Sequence, residues 1–531
     1  MGVGSGADWP AVRGVLAGTL LSAALYGGAL AARDIGYDTR ELTIARLHGD
    51  LDARRISVRR IEAHYAARIA AIDAHGPSLR SVLEVNPDAA AIAAQLDSAG
   101  GPRGPLYGVP VLLKDNIDTA DRMLTTAGSL ALLDSRPARD AFIVRQLRAA
   151  GALILGKTNL SEWANYRSKR SSSGWSGRGG QTRNPYALDR NACGSSSGSG
   201  TAIAADLAVV AVGTETDGSI TCPASVTGLV GIKPTVGLVS RSGIIPIAAS
   251  QDTAGPMART VADAAVLLGV LAGFDPDDPA TARLREQPPP DYSRSLDASS
   301  LNGARIGVLR HYAGFHEGVD ALFERGLAVL RERGAVIVDP ADIATADKLD
   351  ADEQIVLAYE FKDGINRYLA TRQGGGPRTL QELIAFNDRE AIREMPFFRQ
   401  ELFLDAEATG GLTEAKYLEA HERALRLAGR EGIDAALAKD HLDALVAPTV
   451  GPAWTTDLVN GDHFLGGGVT TPPAIAGYPH VTVPMGAVHG LPVGVSFVGP
   501  AWSEARLIGY AYAYEQATKA RRAPQFAATA P

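Results

Sequence analysis

The sequence predicts an α/β fold in which a central β-sheet is covered by helices on both faces, and three observations carry that expectation. Short apolar runs near 105–114, 152–156, 208–214 and 228–240 read as buried core strands. Helical patterns at 140–150, 200–207 and 260–272 fall between them, and such alternation covers a sheet on both faces. Length agrees: 531 residues with 46% hydrophobic and 21% charged content can bury a large core.

The elements follow in order along the chain. Arg13 precedes the apolar stretch Gly14–Leu30, and Ala29-Leu-Ala31 has the small-x-small form of a signal cleavage site. Residues 1–31 therefore read as an export signal, which places the mature protein in the periplasm or outside the cell. An uncleaved anchor, or a cytosolic helix in a cytoplasmic protein, is the alternative. The stretch is short and glycine-rich for a membrane span of about 20 residues, so no stable membrane association is expected after the signal is removed. Ser57 opens a helix with Ile61, Tyr65, Ile69 and Ile72 on one face. Gln287 through Ser300, rich in proline and serine, connects to a βαβ unit: strand 304–310, helix 319–334, strand 335–338. Residues about 341–440, rich in Ala, Leu, Glu and Arg, read as a helical insertion, and apolar strands return at 443–447, 480–484 and 493–498. Composition alone leaves one domain or two open.

Charge and motifs exclude several functions. A net charge of −7 without a basic stripe argues against nucleic-acid binding. There is no His-Glu-x-x-His, and Asp275-Pro-Asp-Asp lacks the glycine and distal glutamate of a calcium loop, so no metal or other cofactor is expected. Gly151-Ala-Leu-Ile-Leu-Gly-Lys-Thr158 fits the P-loop expression, but its Ala-Leu-Ile-Leu reads as a strand where a phosphate cradle needs a loop. Gly194-Ser-Ser-Ser-Gly198 fits a nucleophile elbow centred on Ser196, but the segment before it is a polar loop containing Pro185 rather than a core strand. The only two cysteines, Cys193 and Cys222, read as packing residues rather than a staple.

What remains is a conjunction of one lysine and two serines. Lys114 ends the apolar run Val109-Pro-Val-Leu-Leu, Ser195 lies in Cys193-Gly-Ser-Ser-Ser-Gly-Ser-Gly200, and Ser219 lies in Gly213-Thr-Glu-Thr-Asp-Gly-Ser-Ile-Thr-Cys-Pro223. A serine hydroxyl needs a base before it attacks a carbonyl, and lysine serves only when neutral. Burial at a strand end lowers the amine's pKa toward that state.

In this order and spacing the three residues resemble the amidase signature family. Further matches run from about residue 40 to 515, among them Gly156-Lys-Thr-Asn-Leu-Ser-Glu-Trp163, Gly231-Ile-Lys-Pro-Thr235, Asp252-Thr-Ala-Gly-Pro-Met-Ala-Arg259 and Gly490–Gly499. The resemblance implies a Ser-Ser-Lys hydrolase of carboxamides folded as one α/β/α domain over 32–531, built on a mixed central β-sheet flanked by helices, with its signature core at about 104–270. It implies Ser219 as nucleophile, Ser195 as relay on a cis peptide bond, and Lys114 as base and later acid. The backbone N–H groups of Thr216, Asp217, Gly218 and Ser219 match the family's oxyanion hole.

Two departures narrow the substrate: Asp217 replaces a frequent glycine and Thr221 a frequent arginine. The variant resembles the branch containing bacterial peptide amidases, which implies C-terminal amides of peptides as substrates. Small aliphatic or aryl amides are the alternative, and the A-type component of a glutamyl-tRNA amidotransferase is a more distant one.

Overall fold

Eleven strands join in one mixed sheet in the computed structural model, which describes residues 37–99 and 103–530. The signal expected at 1–31 lies outside the described residues. In chain order the strands are β1 (Val82–Val85), β2 (Pro110–Lys114), β3 (Leu153–Thr158), β4 (Val210–Glu215), β5 (Val230–Lys233), β6 (Thr253–Ala258), β7 (Arg305–Val308), β8 (Val336–Val338), β9 (Ala444–Pro448), β10 (His480–Val488) and β11 (Leu491–Val498). Their order across the sheet is β1-β3-β2-β4-β6-β5-β10-β11-β9-β7-β8.

Both kinds of pairing occur, which makes the sheet mixed. β3, β2 and β4 run parallel, as do β9, β7 and β8. The pairs β4–β6, β6–β5, β5–β10, β10–β11 and β11–β9 are antiparallel. Every residue of β2, β3 and β4 is buried, as continuous apolar runs in a sheet covered on both faces require. Helices Val261–Leu271, Glu317–Glu332 and Glu504–Thr518 pack on the sheet and share its main core.

The segment 350–439 is helical, beginning with a helix at Asp350–Ala370. It has an apolar core of its own, in which Phe361, Ile365 and Phe403 meet Trp163, Tyr166 and Ile245. Buried polar ties fix it to the sheet side. Arg372 donates to the carbonyls of Thr125 and Ser135, and Ser250 donates to Glu360.

Three features depart from the sequence reading. The expected strand 228–240 is a strand only at Val230–Lys233, because Pro234 has no N–H to donate and Gly237 turns the chain at φ 91°. The Thr-Ala-Gly-Pro-Met-Ala segment forms β6 in the middle of the sheet, although its glycine and proline carry no strand signal. β1 is a short edge strand, also unread. Within the P-loop expression the chain is β3, and Lys157 spends its ammonium on the Ile117 carbonyl and the Thr125 hydroxyl, at 2.6 and 2.7 Å. Among the described residues no helix is long and apolar enough to cross a membrane.

Candidate active site

The parallel neighbours β2 and β4 bring Lys114 and Thr214 together at their carboxyl ends. Lys114 Nζ contacts Ser195 Oγ at 2.6 Å, Thr214 Oγ1 at 2.8 Å and the Thr214 carbonyl at 3.1 Å. Asn116 Nδ2 donates to Thr214 Oγ1 at 2.9 Å and steadies that hydroxyl. Burial drives the lysine's pKa down from 10.5 to about 7, against the opposing pull of Glu215 and Asp252. Lys114 therefore has a populated neutral form near neutral pH.

Two other buried lysines sharpen the contrast. Lys157 meets the carbonyl and hydroxyl named above, and Lys233 donates to the carbonyls of Pro234, Pro473 and Tyr478. Burial lowers both pKa values, Lys233 to about 8. Their partners are structural acceptors, whereas Lys114 touches the hydroxyl of Ser195.

Ser195 follows a cis peptide bond at Gly194–Ser195, just ahead of α1 (Ser197–Ala204). Gly194 is required by space: a Cβ there would meet Ser161 Oγ at 2.1 Å. Its neighbour Ser196 is engaged by the backbone of β4, donating to the Thr214 carbonyl at 3.1 Å and accepting from the Thr214 N–H at 3.2 Å. His480 is fully buried against Ser496, and its pKa is pushed down to about 3 by burial. Neither residue has the partners a nucleophile elbow needs.

Ser219 sits in the turn between β4 and α2 (Thr221–Val226). Its carbonyl accepts from the Ser196 N–H at 3.1 Å, so the two serine loops touch. Ser219 keeps 8% of its surface exposed while Ser195 and Lys114 keep none. Of the three, Ser219 is the one a substrate can reach. Gly218 has φ 76°, a conformation that suits glycine, and Thr470 lies beside it.

Side chains around the turn hold its backbone. Glu215 Oε2 accepts from the N–H groups of Ile220 and Thr221 at 2.7 and 2.9 Å. Thr216 Oγ1 donates to Asp252 at 2.5 Å, and Asp252 also takes the N–H groups of Ile247 and Ala248. Burial raises the Asp252 pKa to about 6. Thr471 Oγ1 donates to Asp217 at 2.7 Å. Thr221, in the position of the frequent arginine, is buried and turns its hydroxyl toward Glu215 at 3.2 Å. A cavity of about 240 Å³ adjoins this cluster, lined in part by Asn116, Thr214, Thr216, Ile244 and Ile245. Arg241 also lines it but is engaged by both carboxylate oxygens of Asp278, at 2.9 and 2.5 Å.

The cysteines correct the sequence reading. Cys193 and Cys222 form a disulfide with Cα atoms 6.0 Å apart, inside a small apolar cluster with Val226, Val450, Ala453 and Trp454. The bridge ties the Ser195 loop to the helix that follows Ser219. A separation of 29 residues between a loop and a helix gave no spacing signal for it. Thr214, Asn116, Glu215 and Asp252 were also missed. Thr214 and Glu215 lie within the quoted motif, but their roles depend on the register of β2 against β4.

Comparison with known proteins gives the family. The family model described as Amidase matches residues 63–508. The structure of native peptide amidase from Stenotrophomonas maltophilia is 52% identical, with a TM-score of 0.87, covering 92% of this chain and 99% of that one. A protein named probable amidase from Arabidopsis thaliana is 40% identical over 504 residues, 93% of each chain. The A-type component of the glutamyl-tRNA(Gln) amidotransferase of Acinetobacter baumannii is 35% identical over 492 residues, 91% of this chain and 97% of its own.

Proposed function

The chain belongs to the amidase family and is a hydrolase of amide C–N bonds; on that premise we propose that it works by a Ser219-Ser195-Lys114 relay on C-terminal amides of peptides. The observation that carries the relay is the 2.6 Å contact between Ser195 Oγ and a buried lysine whose pKa falls to about 7. Ser219 Oγ attacks the carboxamide carbon, and its proton passes through Ser195 to neutral Lys114. The tetrahedral oxyanion is met by the backbone N–H groups of Thr216, Asp217, Gly218 and Ser219, fixed donors that need no reorganisation as charge develops. Lys114 returns the proton through Ser195 to the nitrogen, ammonia departs, and water entering by the reverse route cleaves the acyl-enzyme.

Substrate choice rests on charge and likeness. Thr221 faces Glu215, and Arg241 is occupied by Asp278, so neither offers a carboxylate the partner that a small anionic substrate such as glutamine would want. The 52% identity to a peptide amidase supports a neutral peptide chain ending in a primary amide. The 35% identity to an amidotransferase component supports the family more than that activity. We further propose that the chain is exported, with 1–31 removed and 32–531 forming one amidase domain. A disulfide between the only two cysteines suits an oxidising compartment.

Mass spectrometry of a C-terminally amidated peptide incubated with enzyme tests the function. Conversion of terminal amide to acid, with internal bonds intact, is expected from wild type and not from Ser219→Ala. Backbone fragments, or no reaction beside brisk hydrolysis of simple aliphatic amides, would refute the substrate.

A further inference from the structure

An acid pair grips the oxyanion turn from outside, and the relay does not use it. Glu353, in the first turn of α3 (Asp350–Ala370), is buried against Asp217. Its Oε1 accepts from Gln251 Nε2 at 2.8 Å, and the same amide reaches the Thr216 carbonyl at 3.4 Å. On Asp217, Oδ2 takes the Thr471 hydroxyl and the Thr470 hydroxyl also lies against the carboxylate, whereas Oδ1 is buried and makes no well-formed hydrogen bond among the described residues. A buried carboxylate oxygen without a donor is unfavourable. Two carboxylates in contact away from water do not both ionise. One proton on Glu353 resolves both conflicts, because the acid then donates to the Asp217 carboxylate that it touches.

We propose that Glu353 stays protonated at neutral pH and donates a hydrogen bond to Asp217, making it a positioning residue that pins the oxyanion turn to the insertion helix. The inference rests on the reading of 216–219 as the oxyanion turn. Asp217 contributes its backbone N–H there, so anchoring its side chain sets the direction of that donor.

The surrounding charges favour a shared proton. Burial and then repulsion from Asp217 push the Glu353 pKa well above the carboxylate range, with Asp350 on the same helix adding to the rise and Gln251 opposing it. Burial also raises Asp217, with Asp350 adding and the Thr470 and Thr471 hydroxyls and Lys233 opposing. Tyr312, which faces Asp217, and Tyr166, which faces Glu353, are held neutral chiefly by burial. When pH rises far enough to remove the shared proton, two adjacent carboxylates repel and the turn loses its anchor. The consequence is a fall in kcat on the alkaline side with little change in KM.

The test compares Glu353→Gln, which supplies an amide N–H donor at every pH, with Glu353→Leu, which supplies none. On an amidated peptide, E353Q is expected to keep most of its neutral-pH kcat and to lose the alkaline fall. E353L is expected to lose about tenfold to a hundredfold in kcat at all pH values, approaching the loss of an oxyanion donor. A wild-type alkaline limb in E353Q, or equal activity in the two variants, would overturn the latch. Should E353L not fold, the E353Q profile alone decides. Turnover surviving in Ser219→Ala would instead overturn the reading of the site on which the latch rests.

Discussion

Lys114→Met should abolish turnover while stabilising the protein at acidic pH, and the pH dependence of that gain measures the state of the lysine. In the unfolded chain Lys114 holds its proton up to about 10.5, but in the native protein only up to about 7. Between those values the unfolded state binds one more proton, so native stability rises with pH. Below about 7 the native protein carries the full cost of a buried ammonium, which over the interval from 10.5 to about 7 amounts to about 5 kcal/mol. Methionine has no such charge and nearly the same length. It does remove three hydrogen bonds, to Ser195 Oγ, the Thr214 hydroxyl and the Thr214 carbonyl, although Asn116 and Ser196 still donate to the last two, a loss of roughly 1–3 kcal/mol. The variant should therefore be more stable than wild type by a few kcal/mol below about 7, with the advantage shrinking and then reversing as pH approaches 10.5. Denaturant unfolding of both proteins across that range gives the difference curve, in which other titrating groups cancel. Parallel curves would refute the argument, because the lysine would then carry no lowered pKa and could not serve as a neutral base.

The remaining predictions concern the relay, the bridge, pH and metal. Ser195→Ala and Lys114→Ala should each cost several orders of magnitude in kcat, and the double variant little more, since members of one relay act as a unit; additive losses would contradict the shared path. Removing the disulfide with Cys193→Ser plus Cys222→Ser should lower stability by about 3–4 kcal/mol for a loop of 29 residues, read by denaturant unfolding; unchanged stability would refute the bridge. Activity should rise with pH through about 7 as Lys114 loses its proton; a profile falling through that range would contradict the base. Chelation by EDTA should leave turnover unchanged, and loss restored by a divalent metal would sink the cofactor-free mechanism.

Most of the fold was legible because its strands are apolar runs that the sheet buries whole. Val111-Leu-Leu and Val493-Gly-Val-Ser-Phe-Val are readable in isolation, since burial on both faces leaves no polar alternation to confuse them. β6 was not, because Pro256 and Gly255 hold a central position that only their neighbours β4 and β5 explain. The same division applies to the site. Lys114, Ser195 and Ser219 stand in motifs whose residue types announce their chemistry. Thr214, Asn116, Gln251 and Glu353 act through register and through the docking of a helix more than 100 positions away from the turn, as in the contact of Gln251 with Glu353. No local pattern encodes such contacts. The disulfide belongs with them.

The most direct test of the relay is the covalent intermediate. Enzyme quenched during turnover of an amidated peptide, digested and mapped by mass spectrometry, should carry the acyl group on Ser219 in the wild type and nowhere in Ser219→Ala, which should also be inactive. An acyl group on Ser196, or a Ser219→Ala enzyme that still turns over, would contradict the account.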